Sequence, residues 1–422
     1  MKVLHISTSD LGGAGIAAVR LHKAMLDEGV DSHLLTLHQF RADVPKHTRY
    51  MPGDGKLLPA FFNLIYKIKR GLNYYGLLRF RHSRMSRKHL KNRPVGFEHF
   101  SFPVSEINLL KHPLVKEADV IHLHWVSDGF IDYSSFFRNS RKKIFWTLHD
   151  MNPFTGGCHH SDDCMKFKED CKPCIQLKGT IDDNFAAVML KKKKAALLNI
   201  DKNQISIITP SKWMGALSSQ SALFRNYQHH VIPNVIDTDT FNMLNKTEAR
   251  ESLGLPLYKK IILFNSHHID NPRKGLKYLI DAMKLSTRND ILLCASGNIM
   301  NTETQVSFIN LGYLNSESKM AQAYAAADVF VLPSVAENFP NTLCEAILCG
   351  TPVVAFNVGG VSEIINSDNG ILVTLKDSSE LAKAIDRVVD SNKYDNDIIR
   401  RDALKRFNSS KIINDHIILY SK

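Results

Sequence analysis

The stretch Asp328-Val-Phe-Val-Leu-Pro-Ser334, continued by Val335-Ala-Glu337-Asn-Phe-Pro-Asn-Thr-Leu-Cys-Glu345 and closed by Ala346-Ile-Leu-Cys-Gly350-Thr-Pro352, reads as strand, loop, helix and stop. Val329 to Leu332 is a short apolar run of strand-forming residues, and Gly350 with Pro352 ends the helix that follows. Thr342 or Asn341 is expected to cap that helix, leaving the amides of Thr342 and Leu343 free. A helix start with free amides and a partial positive charge is an anion site, so a diphosphate fits there without a metal. Glu345, just inside the helix, can accept two hydroxyls such as a ribose offers. Glu337, on the loop, could reach the hydroxyls of a transferred sugar. The plainer reading is a capped surface helix with acidic first turns.

Working outward, strand-like runs at Val3 to Ser7, His33 to Leu37, Val120 to His124 and Ile144 to Leu148 alternate with helix-like segments such as Ala17 to Asp27. A second series follows Ile205 to Thr209: Ile261 to Phe264, Ile291 to Ala295, Val329 to Leu332, Val353 to Phe356 and Ile371 to Thr374. Alternation of this kind indicates parallel sheets, hence an α/β chain of two Rossmann-like domains facing across a cleft. The expected division is 1–205, 206–395, and a helical segment 396–422 that crosses back to the first domain. At 422 residues the chain has room for two substantial cores.

The net charge of +12 suits anionic lipid, nucleic acid or a phosphorylated substrate, and its location says more than its size. Between Lys56 and Arg93 there are eleven Lys/Arg and no Asp/Glu, with Phe61, Leu64, Ile65, Ile68, Leu72 and Tyr75 at helical spacing. This basic amphipathic segment, 56–93, suits an anionic membrane surface; the alternative is a helix packed on the first domain with a solvated basic face. No run approaches the roughly 20 apolar residues of a spanning helix. The opening MKVLHISTSD lacks the apolar stretch of a signal peptide, so a cytoplasmic, membrane-peripheral protein is expected.

Two further stretches carry chemistry. Ile261-Ile-Leu-Phe-Asn-Ser266 followed by Asn271-Pro-Arg-Lys-Gly275 places Arg273 and Lys274 just past a strand, where both could neutralise a leaving diphosphate. For Arg273 the competing reading is a solvated basic turn. Gly12-Gly-Ala-Gly15 follows the first strand and opens a helix, so backbone can approach a ligand closely. It lacks both the G-x-G-x-x-G spacing of a dinucleotide fingerprint and the Lys of a Walker loop. His149 ends a strand at its ligand-facing edge.

In this order, Gly13, His149, Arg273, Lys274, Glu337 and Glu345 resemble glycosyltransferase family 4, retaining enzymes of the two-domain GT-B architecture. The resemblance spans most of the chain and includes Gly350-Thr-Pro-Val353, Gly359-Gly360 and Val231-Ile-Pro-Asn-Val-Ile-Asp237. It implies that Lys274 holds the donor phosphates and Glu345 the ribose. Glu337 with Phe339, Pro340, Asn341, Thr342 and Leu343 would hold the donor sugar and diphosphate. Gly13 would lie against the reacting centre and His149 would contact the sugar. Lys274, Glu337 and His149 are thus the candidate catalytic groups, and no side chain is required as a covalent nucleophile. The chain departs from the family at Ser266, where an Arg is usual, and at Val235, where a Gly is usual. Arg273 is the candidate substitute for the missing Arg.

Cys158, Cys164, Cys171 and Cys174 cluster in the loop 154–176, and Cys171-Lys-Pro-Cys174 has zinc-knuckle spacing. A structural zinc, a crosslinked loop and reduced thiols all remain open; catalysis itself needs no cofactor. Phe154-Thr-Gly-Gly-Cys158 resembles family 4 enzymes of bacterial surface polysaccharide synthesis, including colanic-acid-type transferases, which implies a lipid-linked saccharide acceptor beside a nucleotide-diphosphate sugar donor. The rivals are a Rossmann-type oxidoreductase, which should carry the dinucleotide fingerprint, and a sugar-nucleotide epimerase or phosphorylase, which product analysis separates. A further rival is a nucleotide-binding protein without transferase activity. Nucleic acid is not an expected partner, because the basic residues concentrate in one stretch with no recognised module.

Overall fold

A computed structural model describes residues 1–52, 64–65, 67–69, 71, 80–298, 308–391 and 393–422. Nearly half of the basic segment 56–93 therefore lies outside the described residues; of its apolar stripe, Leu64 and Ile68 are described and exposed and Ile65 is half-buried. The chain divides into two compact units, Met1–Ile232 with Asp415–Lys422, and Pro233–Asn414.

The first unit is built on a parallel seven-stranded sheet of order β3-β2-β1-β4-β5-β6-β7. Its strands are β1 (Lys2–Ser9), β2 (Asp31–His38), β3 (His47–Arg49), β4 (Val120–Leu123), β5 (Lys143–Thr147), β6 (Ile205–Thr209) and β7 (Gln228–Val231). The second unit carries a parallel six-stranded sheet of order β10-β9-β8-β11-β12-β13. These strands are β8 (Lys260–His268), β9 (Ile291–Asn298), β10 (Phe308–Asn310), β11 (Val329–Leu332), β12 (Val353–Phe356) and β13 (Gly370–Val373). Both sheets reverse their winding once, between β1 and β4 and between β8 and β11, which is the doubly wound pattern of Rossmann-like folds.

The boundary expected near residue 205 is too early. Ile205–Thr209 pairs with β5, and its register runs Ile144 to Ile205 through Thr147 to Ile208. An apolar run bounded by turn residues looks the same whichever sheet it joins; pairing, not pattern, decides membership. The short edge strands β3, β7 and β10 were invisible for a related reason. Gln228-His-His-Val231 and His47-Thr-Arg49 carry polar side chains because an edge strand is half-solvated.

Central strands of the second sheet are buried on both faces, and side-chain alternation sorts them into two cores. Phe330 and Leu332 of β11 pack with Ile261, Leu263, Val353 and Ala355 on one face. Val329 and Val331 pack with Ile262, Phe264, Val354 and Phe356 on the other. At the start of β11, Asp328 is held by Arg250 at 2.6 Å and accepts the Ile261 amide at 2.7 Å, which fixes β8 and β11 side by side.

The helix Ser409–Ser421 starts in the second unit and ends in the first, where the Tyr420 hydroxyl meets His122 Nδ1 at 2.5 Å. Among the described residues, no helix is long and apolar enough to cross a membrane.

Two glycines bring the loops of the second unit together. Gly275 has φ +74°, and a Cβ there would lie 1.8 Å from the Pro333 carbonyl oxygen. Gly359 has φ +59°, and its Cβ would lie 1.7 Å from the Glu337 carbonyl oxygen. Gly275→Ala is expected to combine left-handed strain with a backbone clash and to cost at least about 2 kcal/mol. Denaturant unfolding should show the loss, whereas a midpoint unchanged from the parent would mean that the turn relaxes freely.

Candidate active site

The loops after β8 and β11 leave the sheet at its winding reversal, where ligands of doubly wound sheets bind. After β8 the chain makes the tight turn Pro272–Lys274, whose start is capped by the Asn271 side chain accepting from the Arg273 amide at 2.9 Å. The turn is tied to the neighbouring loop, since the Val335 amide donates to the Arg273 carbonyl at 2.8 Å. This places two cations beside Glu337. Lys274 Nζ lies 2.6 Å and Arg273 Nη1 3.2 Å from Glu337 Oε1, and the same Nη1 donates to the Ala336 carbonyl at 2.8 Å.

The trio is half-buried to buried, with side-chain exposures of 22%, 17% and 10% for Lys274, Arg273 and Glu337. Two cations against one carboxylate leave a net charge of +1 in a partly desolvated corner, which favours an incoming anion. Arg273 is thus part of a built cluster rather than a solvated turn.

The helix after the loop spans Asn341–Leu348, and no side chain caps it. The expected cap by Thr342 or Asn341 is corrected: both lie inside the helix, Pro340 precedes it, and Asn341 Oδ1 instead accepts from Asn234 Nδ2 at 2.8 Å. The Leu343 amide is not free either, since it donates to the Pro340 carbonyl at 3.1 Å. An X-Pro loop that turns directly into a helix leaves no residue in the capping position with a side-chain acceptor.

Glu345 is buried at 7% exposure and accepts from the Tyr324 hydroxyl at 3.0 Å. Burial pushes the Tyr324 phenol well above its usual range, and the adjacent Glu345 carboxylate adds to this, so Tyr324 remains a donor. Sequence reasoning missed Tyr324; its position in the helix Glu317–Ala326 carries no signal beyond an apolar face. It also missed Ser334, a fully buried hydroxyl with no partner among the described residues, immediately after β11. A cavity of about 370 Å³ lined by Asn366, Ile371, Arg387 and Tyr394 contains none of these groups.

Gly13 and His149 belong to the first unit. Gly12 (φ +72°) and Gly15, whose Cβ would meet the Ser9 carbonyl at 2.6 Å, have backbone reasons to be glycine; at Gly13 a methyl meets nothing within 4 Å. His149 follows β5 and is the end of a chain of imidazoles. His149 Nε2 lies 3.1 Å from His124 Nδ1, and His124 Nε2 lies 3.0 Å from His5 Nδ1. Burial lowers His149 to about 4, against the opposing pull of Asp150, so the ring is neutral near pH 7. Asp150 is half-buried, and although desolvation opposes it, the neighbouring His159, 2.6 Å away, holds its carboxyl well below the usual range.

The four clustered cysteines, none of them in a disulfide, line one small cavity with Phe100 and Phe167, also in the first unit. Burial pushes Cys171 up to about 11.

Residues 259–391, which contain the whole charged cluster, match the family described as Glycosyl transferases group 1. The chain is 24% identical over 402 residues to the putative colanic acid biosynthesis glycosyl transferase WcaC of Escherichia coli K12, covering 88% of this chain and 87% of that protein. In fold it resembles HepE of Anabaena, solved with UDP and glucose, at 17% identity, TM-score 0.64 and full coverage of both chains. It also resembles a sucrose-phosphate synthase from Thermosynechococcus elongatus at 19% identity and TM-score 0.63, covering 100% of this chain and 98% of the other. Residues 259–391 are thus a glycosyl transferase group 1 domain, and the chain that carries them is a glycosyltransferase of GT-B fold.

Proposed function

We propose that this enzyme transfers a sugar, with retention of anomeric configuration, from a nucleotide-diphosphate sugar to a lipid-linked saccharide acceptor in bacterial surface polysaccharide synthesis. The observation that carries the donor reading is the Arg273–Lys274–Glu337 cluster beside an uncapped helix start and the buried Glu345. Lys274 and Arg273 meet the donor diphosphate, and the start of Asn341–Leu348 adds its partial positive charge. Glu345, oriented by Tyr324, accepts the ribose hydroxyls. Glu337 and the backbone of Phe339 to Leu343 hold the transferred sugar.

As the glycosidic bond breaks, negative charge grows on the leaving diphosphate and positive charge on an oxocarbenium-like sugar. Preorganised cations stabilise the first without reorganising, which is where catalysis by such a site arises. The acceptor hydroxyl attacks from the face the diphosphate leaves. Gly13 and His149 are assigned to the reacting centre and the sugar by the family resemblance; a neutral His149 can donate or accept one hydrogen bond. The WcaC likeness supports an acceptor in polysaccharide assembly, and the basic stretch 56–93 supports docking on an anionic cytoplasmic membrane face.

The test is incubation with a panel of nucleotide sugars and a lipid-linked saccharide acceptor, with the product's anomeric linkage read by NMR. Transfer with retention supports the reading. Epimerised donor with no new linkage would replace it with the epimerase alternative, and inversion would remove the retaining assignment.

A further inference from the structure

Cys158, Cys164, Cys171 and Cys174 face one cavity of about 20 Å³ in the first unit, walled elsewhere by Phe100, Phe167 and Ala186. A space of that size accepts one atom-sized occupant and no organic ligand. The loop around it is tightly built. A Cβ at Gly157 would lie 2.2 Å from the Phe100 ring and one at Gly156 2.3 Å from the Ala186 carbonyl, so the chain is pressed against both walls. Phe100 and Cys158 form a bridge of antiparallel backbone, and the Cys174 amide donates to the Asp183 carbonyl at 2.9 Å.

Charge around the cavity says what occupies it. Lys193 is fully buried, yet its ammonium meets only neutral groups directly: it donates to the carbonyls of Asn152 and Thr155 and lies 5.4 Å from the Tyr133 ring centroid. Arg93, half-buried, likewise donates to the Gln176 carbonyl and side-chain oxygen and sits 5.3 Å from the Phe100 ring centroid. The ionisable groups that bear most strongly on Lys193 are Cys158 and Cys171, and on Arg93 they are Cys158 and Cys174. A buried cation without a counter-charge is costly. Carboxylates bear on them less strongly than the cysteines do: Asp150, itself paired with His159 at 2.6 Å, on Lys193, and Glu98 and Asp162 on Arg93. Two disulfides or four thiols, being neutral, therefore leave the cavity itself with no negative charge toward either cation. Four thiolates on a divalent ion carry a net charge of −2, which the two cations balance.

We propose that Cys158, Cys164, Cys171 and Cys174 bind one zinc ion as a structural tetrathiolate centre, with Lys193 and Arg93 as its counter-charges. Sulfur-only tetrahedral sites select zinc or iron–sulfur chemistry, and the cavity is too small for a cluster. Among the described residues no three of these sulfurs lie mutually within 4.8 Å, so the ion draws them inward to the spacing that four Zn–S bonds of about 2.3 Å impose. Each thiol that ligates gives its proton to solvent. The centre is wired to the segment after His149. Lys193 holds the Asn152 and Thr155 carbonyls, Asn152 Nδ2 donates to the Gly157 carbonyl at 2.8 Å, and His159 holds Asp150. The metal therefore fixes the loop that carries His149.

The full-length protein, purified without chelator and then desalted, is assayed for metals and for zinc released as a mercurial titrates its thiols. About one zinc per chain is expected, lost in Cys171→Ser and kept in Cys294→Ser, which removes a buried thiol elsewhere in the fold. Lys193→Met should weaken zinc binding about 10- to 100-fold in competition with a chromogenic chelator. Metal-free wild type with four titratable cluster thiols, iron in place of zinc, or Cys–Cys crosslinks in a non-reducing peptide map would each overturn the proposal. If Cys171→Ser does not fold, the wild-type metal and thiol content still decides.

Discussion

Lys274→Ala is expected to lower kcat/KM for sugar transfer by about 10² to 10³ while the protein stays folded, because one preorganised charge on a leaving group is typically worth about 3 to 4 kcal/mol of barrier. The fold survives since Glu337 keeps Arg273 at 3.2 Å and the Arg273 carbonyl keeps the Val335 amide. Lys274→Arg should restore part of the rate. Its guanidinium supplies charge with a different reach, so recovery separates an electrostatic role from simple packing. Steady-state kinetics with a fixed acceptor reads the effect. A Lys274→Ala enzyme within a factor of three of the parent would mean that the diphosphate is neutralised elsewhere.

The second large effect is acid lability confined to the first unit. His5, His22, His122, His124 and His416 are buried there, and His149 is half-buried. Burial lowers the pKa of every one: His22 and His149 to about 4, His416 to about 3, and the other three well below the usual range. Repulsion among neighbouring imidazoles adds to burial for His5, His22, His122 and His124, while Asp150 and Asp415 oppose it at His149 and His416.

In the unfolded chain these rings take up protons near pH 6.5 and in the folded chain only far lower, so the unfolded state binds more protons between those limits. Stability is therefore full above about pH 7 and falls as the pH drops from about 6.5 towards 4. At pH 5.5 each ring contributes up to about 1.4 kcal/mol, and because the rings are coupled the total is several kcal/mol rather than the simple sum. Calorimetry between pH 7.5 and 5.5 should show one transition moving sharply down while a second, from Pro233–Asn414, moves little. That unit has only the exposed His267 and His268. Two transitions that shift together, or neither shifting, would contradict the account.

The two sheets were legible because their central strands are apolar runs of four or more residues separated by helix-like segments, and such alternation has few other solutions. The charged cluster of Arg273, Lys274 and Glu337 was legible only as three residues that follow strands at places where a doubly wound sheet presents its ligand site. What the sequence did not disclose depends on pairing across distance. The helix starts one residue after Pro340, which has no side-chain acceptor, and the Asn341 oxygen is instead taken by Asn234, over a hundred positions away. Tyr324 reaches Glu345 through the packing of two helices. The requirement for glycine at 275 and 359 comes from carbonyls of a different loop. The histidine chain is spread over β1, β4 and the end of β5, so no local pattern marks it.

The central claim is that the second unit holds a nucleotide diphosphate on the Arg273–Lys274 pair and Glu345. Isothermal titration of the full-length protein with UDP, GDP, ADP and TDP tests it most directly, with Lys274→Ala and Glu345→Ala alongside. One base should bind, and each substitution should weaken it at least tenfold, about 1.4 kcal/mol. Equal affinity in parent and both variants, or no binding of any diphosphate by folded protein, would contradict the account.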